Sequence, residues 1–253
     1  MILDAFRLEG KVAIVTGCNT GLGQGMALAL AQAGADIIGV NYADAGNTPE
    51  LIAETGQAFF NITADLSQSS VVNDVIAQAK AVHGHIDILV NNAGIIRRED
   101  AIDFSESDWD DVMNINIKAV FMMSQAAARV FEEQGNGGKI VNIASMLSFQ
   151  GGIRVPSYTA SKSAVMGLTR ALANEWASKD INVNAIAPGY MATDNTAALR
   201  ADEVREKAIR ERIPANRWGT SADVGGAALF LASPAAAYIN GYTLAVDGGW
   251  LAR

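Results

Sequence analysis

The chain has one cysteine, Cys18, and two histidines, His83 and His85. A single cysteine excludes an internal disulfide and a cysteine-based metal site. The histidines stand together between a helical and a strand-like stretch and read as loop residues, so no metal is expected. No apolar run reaches the ~18 residues of a membrane-crossing helix, and no charged segment followed by an apolar one opens the chain. The expectation is a soluble cytoplasmic protein with no membrane partner. Basic residues are also in the minority, 19 against 27 acidic ones, for a net charge of -8. That balance, with no basic run, argues against a nucleic-acid partner, although it leaves room for a local basic pocket. No lysine or arginine lies between Lys11 and Lys80. Repeats, low-complexity linkers and a composition shift are missing too. The 253 residues therefore read as one domain, 1–253.

What is present alternates. Half of the residues are hydrophobic, and short apolar runs at 11–15, 36–40, 59–63, 86–90, 140–144, 182–186 and 243–246 read as buried strands. Helical patterns at 26–33, from Thr48-Pro49-Glu50 onward, and at 70–82, 109–131, 158–177 and 221–232 lie between them. Residues 190–215 read as a mobile, mostly helical excursion, a lid over a pocket. Strands alternating with helices predict an α/β fold: a Rossmann-type, doubly wound parallel sheet of about seven strands with helices on both faces. Ligands in such folds lie at the carboxyl ends of the strands. Gly17, Asn92, Ser145 and Pro188 each follow a strand and so converge there.

The first strand runs into Thr16-Gly17-Cys18-Asn19-Thr20-Gly21-Leu22-Gly23, and a helix follows. Strand, glycine-rich turn and helix is the context of a dinucleotide site. Glycines let the backbone approach a pyrophosphate, and the helix N-terminus offers unpaired N–H groups. The second strand should end at the adenosine ribose, where a carboxylate would bind the 2′-hydroxyl and an arginine a 2′-phosphate. The chain has Asn41 there, then Tyr42, with Asp44 beyond. With no cation in this part of the chain, NAD is favoured over NADP. Asp65, with Leu66 beside it, lies past the third strand and either touches the adenine or caps the next helix. Asn91-Asn92-Ala93-Gly94 ends the fourth strand and suits either a cofactor ribose or a plain turn. Cys18 in the glycine turn reads as a packing residue.

Tyr158 and Lys162 are four residues apart, on one face if the segment is helical. A free tyrosine titrates near pH ~10, and a nearby ammonium favours the phenolate, bringing proton exchange toward neutrality. Ser145, past the strand at 140–144, could hydrogen-bond a substrate oxygen. Proton transfer to a carbonyl or from an alcohol is the chemistry this implies. Asn116, inside a helix, needs partners: it either satisfies the core or holds a water near the Tyr–Lys pair. Met122, Met123 and Phe121 read as core or subunit-interface residues. Arg97, Arg98 and Arg154 are cations near the same region, and an arginine can clamp a carboxylate with two hydrogen bonds. They either bind an acidic substrate or make surface and intersubunit ion pairs. Gln150 and Met191 are further pocket candidates.

Taken together, Thr16-Gly17-x-x-x-Gly21-x-Gly23, Asn91-Asn92-Ala93-Gly94, Asn116, Ser145, Tyr158-x-x-x-Lys162 and Pro188-Gly189 resemble the short-chain dehydrogenase/reductase family along essentially the whole chain. The resemblance implies a nicotinamide cofactor and an Asn116–Ser145–Tyr158–Lys162 tetrad. In it Tyr158 is acid and base, and Ser145 holds the substrate oxygen. Lys162 meets the nicotinamide ribose and tunes the tyrosine, while Asn116 holds a relay water. Thr193 would meet the carboxamide, and homotetramers on the two long helices are implied as well. Asn41 departs from the aspartate of many NAD-preferring members. The stretches 94–100, 145–158 and 187–193 are similar to members acting on deoxy sugar acids, which implies a small sugar-acid substrate. Reduction of a 3-ketoacyl chain or a neutral polyol is the alternative within the family, and a non-catalytic NAD sensor the alternative outside it.

Overall fold

The structure, a computed structural model, describes residues 1–253, the side chain of Asn195 excepted. Seven strands form one parallel sheet: β1 (Val12–Thr16), β2 (Asp36–Asn41), β3 (Phe59–Thr63), β4 (Ile88–Asn91), β5 (Gly138–Ile143), β6 (Ile181–Pro188) and β7 (Thr243–Val246), in the order β3-β2-β1-β4-β5-β6-β7. β1, β4 and β6 are buried along their whole length. This is why they read as continuous apolar runs rather than as alternating ones. The order reverses between β1 and β4, the switch point beside which ligands bind in sheets of this kind.

Helices cover both faces. On one side lie α1 (Gly21–Gln32), α2 (Thr48–Ala53) and α9 (Ser221–Ala232). Met26 and Leu30 of α1 pack there with Val224 and Leu231 of α9 over Val15, Ile37 and Val90. A Cβ on Gly25 would lie 2.5 Å from Ser221, and one on Gly225 would lie 2.9 Å from Ala29. The two helices therefore pack backbone to backbone. On the other side lie α3 (Val72–His83), α4 (Glu106–Met113), α5 (Val120–Gln134) and α6 (Pro156–Trp176). Met123, Ala127 and Phe131 of α5 and Leu172 of α6 pack on Ile14, Leu89 and Ile140. Each fully buried aliphatic side chain contributes about 1.5–3 kcal/mol, so these two layers dominate the stability of the fold.

Boundaries differ from the sequence reading in places that bear on the site. α1 begins at Gly21, five residues before the expected start, because the glycine turn itself supplies the first helical turn. The single helix expected over 109–131 is two helices joined by a π-turn, Asn114–Ala119. Ser105 caps α4 by accepting from Asp108 N at 3.1 Å, and Gly135 (φ 70°) ends α5. The 190–215 segment holds α7 (Ala197–Ala201) and α8 (Glu203–Arg212), with Asp202 capping α8. Among the described residues no helix is long and apolar enough to cross a membrane.

Candidate active site

The glycine turn is built by close approach. Gly17 has φ 63°, and its N–H donates to Val40 O at 2.8 Å. A Cβ on Gly23 would sit 2.0 Å from Gly17 O and 2.5 Å from Asn92 Nδ2. Asn92 Nδ2 donates to Thr16 O and Gly17 O, both at 2.9 Å. In return, Thr16 Oγ1 accepts from Asn92 N at 3.0 Å and Ala93 N at 2.9 Å. The amide of Asn92 is thus spent on holding the turn against the end of β4. Thr20 makes no capping bond at the start of α1, so the first N–H groups of the helix, at Gly21, Leu22 and Gly23, lack a side-chain cap. A bare helix N-terminus behind a turn with no side chains fits a pyrophosphate. The Thr193 side chain faces this turn, 3.7 Å from where a Cβ on Gly21 would be.

Two adenosine-side candidates turn inward. Asn41 is buried: its Oδ1 accepts from Cys18 N at 2.9 Å and Asn19 N at 3.2 Å, and its Nδ2 donates to Asn61 Oδ1 at 2.7 Å. Its amide organises the turn from beneath instead of presenting itself at a ribose. Asp65 Oδ1 accepts from Ser67 N at 3.0 Å and so closes a local turn instead of capping the next helix, whose start lies beyond Gln68, and Leu66 is buried in the core. Burial pushes the Cys18 thiol up to about 11, which makes it a packing group.

Opposite the turn, Pro156 at the first position of α6 starts the helix two residues before Tyr158. Lys162 then lies one turn on, with Nζ 5.6 Å from the Tyr158 ring centroid. Lys162 is buried, and its Nζ donates to Ile143 O at 2.6 Å, at the end of β5. Burial pushes its pKa down to about 8. Asn116, in the π-turn, is fully buried. Its Oδ1 accepts from Ile95 N and its Nδ2 donates to Ile95 O, both at 2.9 Å. The same Nδ2 donates to Ser161 Oγ at 3.2 Å, and Ser161 Oγ donates to Tyr158 O at 2.9 Å. Asn116 thus satisfies the core by tying the Gly94–Ile95 loop to α6. A Cβ on Gly94 would lie 3.1 Å from Asn116 Oδ1 and 3.7 Å from Lys162 Nζ, so these residues gather around a bare stretch of backbone.

The phenol of Tyr158 feels burial and charge together. Its pKa is raised, first by burial; a hydrogen bond with Ser145 and then the charge of Arg98 oppose that rise. Arg98 thus adds its charge to that of the Lys162 ammonium over the same ring. The three arginines also divide. Arg97 is paired with Asp108 at 3.3 Å and Asp111 at 3.1 Å. Arg154, at φ 63°, is turned toward Glu99 at 3.1 Å and Asp100 at 3.0 Å. Each has its charge matched by two carboxylates of the chain, which is the ion-pair alternative. Gln150 Oε1 accepts from Trp250 Nε1 at 3.3 Å. Met191 is buried against Gly219, where a Cβ would sit 2.2 Å from its sulfur, so it packs instead of lining an opening. Gly189 follows β6 with its N–H on Val246 O at 3.0 Å; a Cβ there would lie 2.6 Å from Asp247 Cα.

A parallel sheet with a glycine turn at its switch point, and a half-buried Tyr158 over the buried Lys162 opposite, define a nicotinamide-dependent oxidoreductase. The chain belongs to the short-chain dehydrogenase/reductase family; residues 17–251 match the member family described as enoyl-(acyl carrier protein) reductase. It is 68% identical over 253 residues, the full length of both chains, to 2-dehydro-3-deoxy-D-gluconate 5-dehydrogenase of Escherichia coli strain K12. Among solved structures, a candidate 2-deoxy-D-gluconate 3-dehydrogenase from Agrobacterium tumefaciens with bound NADP is 56% identical, with a TM-score of 0.94. The match covers 99% of this chain and 100% of that one. A gluconate 5-dehydrogenase from Burkholderia cenocepacia in complex with NADP and tartrate is 38% identical at a TM-score of 0.95, with both chains fully covered.

Proposed function

We propose that this protein reduces a keto group on a small deoxy sugar acid, and oxidises the corresponding alcohol, as part of pectin or uronate breakdown. The observation that carries the substrate class is the similarity to a 2-dehydro-3-deoxy-D-gluconate 5-dehydrogenase, 68% identical over the full length of both chains. Arg98 puts positive charge within reach of the Tyr158 phenol. A guanidinium beside the reacting group suits a substrate that carries a carboxylate.

The chemistry follows from the residues. A bound nicotinamide supplies or accepts the hydride. Ser145 donates a hydrogen bond to the substrate carbonyl oxygen. Tyr158, held protonated by burial, gives its phenolic proton to that oxygen as negative charge develops there, and takes it back in the reverse direction. Below about pH 8 Lys162 is a buried cation, and it stabilises the phenolate left behind. Asn116 holds the Gly94 loop against α6, and Thr193 stands over the glycine turn. NAD is favoured over NADP because no lysine or arginine lies between Lys11 and Lys80. The NADP held by three solved relatives speaks for the phosphorylated form. The protein is a cytoplasmic homotetramer of single-domain subunits, built on α4–α5 and α6, where Trp109 of α4 and Phe121 of α5 are exposed. In each subunit residues 190–215 are the substrate lid.

A carbonyl panel tests this: 2,5-diketo-3-deoxygluconate, a neutral keto sugar and a short 3-ketoacyl thioester, each with NADH and NADPH. Fast turnover of the first, with NADH, is expected. Arg98→Gln should raise KM for the acid by about 10–100-fold, the loss of one charge-assisted pair. Turnover of the thioester alone would move the protein to acyl reduction, which the matching family's description favours. Consumption of neither cofactor with any carbonyl would leave a non-catalytic dinucleotide sensor.

A further inference from the structure

Trp250 is buried at a junction of three segments that the chemistry above treats separately. The turn that carries it, Trp250–Ala252, is fixed by Asp247: Oδ1 accepts from Gly249 N and Oδ2 from Leu251 N, both at 2.9 Å. The indole is 4% exposed. Its Nε1 donates to Gln150 Oε1, on the loop between Ser145 and Tyr158. Tyr190, two residues past β6, meets the ring edge-on with centroids 4.7 Å apart. Arg212, the last residue of α8, lays its guanidinium 3.9 Å from the ring centroid. Ile213 and Met146, the residue after Ser145, complete the cluster. One side chain therefore touches the root of the lid, its far end and the loop that begins with Ser145. The contacts are of three kinds: a hydrogen bond that a buried indole N–H requires, an aromatic edge contact and a cation over a π face. The lid itself has no core of its own, since no residue of α7 or α8 is buried.

We propose that Trp250 is a positioning residue that seats the lid on the Ser145 loop and so sets how tightly the substrate is held. The kinetic arm of its test rests on the sugar-acid reading, whereas a proteolytic arm does not. Three variants separate the contacts. Trp250→Ala removes all of them, Trp250→Phe keeps the ring without the N–H, and Arg212→Met removes the cation from an exposed position. Each is measured for KM and kcat with 2,5-diketo-3-deoxygluconate, for NADH affinity, and for the rate of tryptic cleavage at the exposed Arg205 and Lys207. The expected result for Trp250→Ala is a fall in kcat/KM of about 10–100-fold, the size of effect that small misplacements produce, carried mainly by KM. NADH affinity should hold and lid cleavage should be faster. Trp250→Phe should recover most of the loss, with Arg212→Met between the two. Wild-type KM and cleavage rate in Trp250→Ala would overturn the proposal. Should that variant not fold, the same result in both Trp250→Phe and Arg212→Met would do so. A wild-type enzyme that ignores the sugar acid would sink the substrate reading instead, and the cleavage rates would still decide the role of Trp250.

Discussion

Lys162 should lower the stability of the fold that holds it. Its ordinary pKa of 10.5 falls to about 8 through burial. A base with a depressed folded-state pKa binds fewer protons folded than unfolded between those two values, so stability rises with pH across that window. Below about pH 8 both states are protonated, and the folded state carries the whole penalty. At 1.36 kcal/mol for each pH unit, the 2.5-unit gap amounts to about 3 kcal/mol at pH 7, falling to about 2 kcal/mol at pH 9. Against this stands the bond from Nζ to Ile143 O, whose loss leaves a buried carbonyl unpaired at a cost of about 1–3 kcal/mol.

Lys162→Met, which fills most of the same volume, is therefore expected to be inactive and yet as stable as wild type at pH 7, or up to about 2 kcal/mol more stable. The sharper expectation is the pH dependence. Urea titrations of the cofactor-free protein should show wild type gaining about 1 kcal/mol on the variant between pH 7 and pH 9. The interval ends at pH 9 so that Tyr158, whose pKa is raised from 10.0, stays protonated in both proteins. A stability difference that is the same at both pH values would refute the claim that Lys162 is buried as a reluctant cation.

Two further outcomes follow from the site. Tyr158→Phe should lower kcat by at least about 100-fold, the typical share of a positioned proton donor, while NADH affinity measured by fluorescence is retained; turnover near wild type would remove Tyr158 from the chemistry. Gly23→Ala should weaken NADH binding by more than about tenfold, since its Cβ would lie 2.0 Å from Gly17 O and overpacking of this kind costs about 1–3 kcal/mol. Unchanged affinity in an isothermal titration would mean that the turn does not hold the dinucleotide.

Some of this was legible in the chain and some was not, for physical reasons. Parallel strands buried on both faces must be apolar throughout, so runs such as 140–144 announced themselves, and the glycine turn did too. The π-turn at Asn114–Ala119 did not, because one extra residue in a helical register leaves the apolar periodicity on either side intact. Asn41 and Asn92 were read toward the cofactor, as their positions after strands suggest. Sequence cannot show that a short amide will instead bond the backbone of a neighbouring turn. Trp250 went unnoticed as a member of the site, since its three contacts come from residues 100, 60 and 38 positions away in the chain.

The arginines show the same limit in its strongest form, and they change the chemistry. Arg97 and Arg98 are neighbours with identical side chains: Arg97 is held by Asp108 and Asp111, and the charge of Arg98 reaches Tyr158. From spacing alone, Lys162 was the cation expected to draw the phenol toward ionisation. The fold keeps Lys162 over the ring, also ties it to the carbonyl of Ile143, and lets burial hold the phenol protonated. A protonated Tyr158 is a proton donor in waiting, which suits reduction of a ketone. Arg98 favours the phenolate once the proton has left, and an incoming carboxylate that neutralised Arg98 would weaken that pull. Substrate binding would then raise the tyrosine pKa further and strengthen its hold on the proton. Arg98→Gln should accordingly raise the pH at which the reductive reaction loses its acid when the free enzyme is compared, and leave it little changed in the substrate complex. The pH profiles of kcat/KM and kcat read these two states separately, and equal shifts in both would show that Arg98 does not sense the substrate's charge.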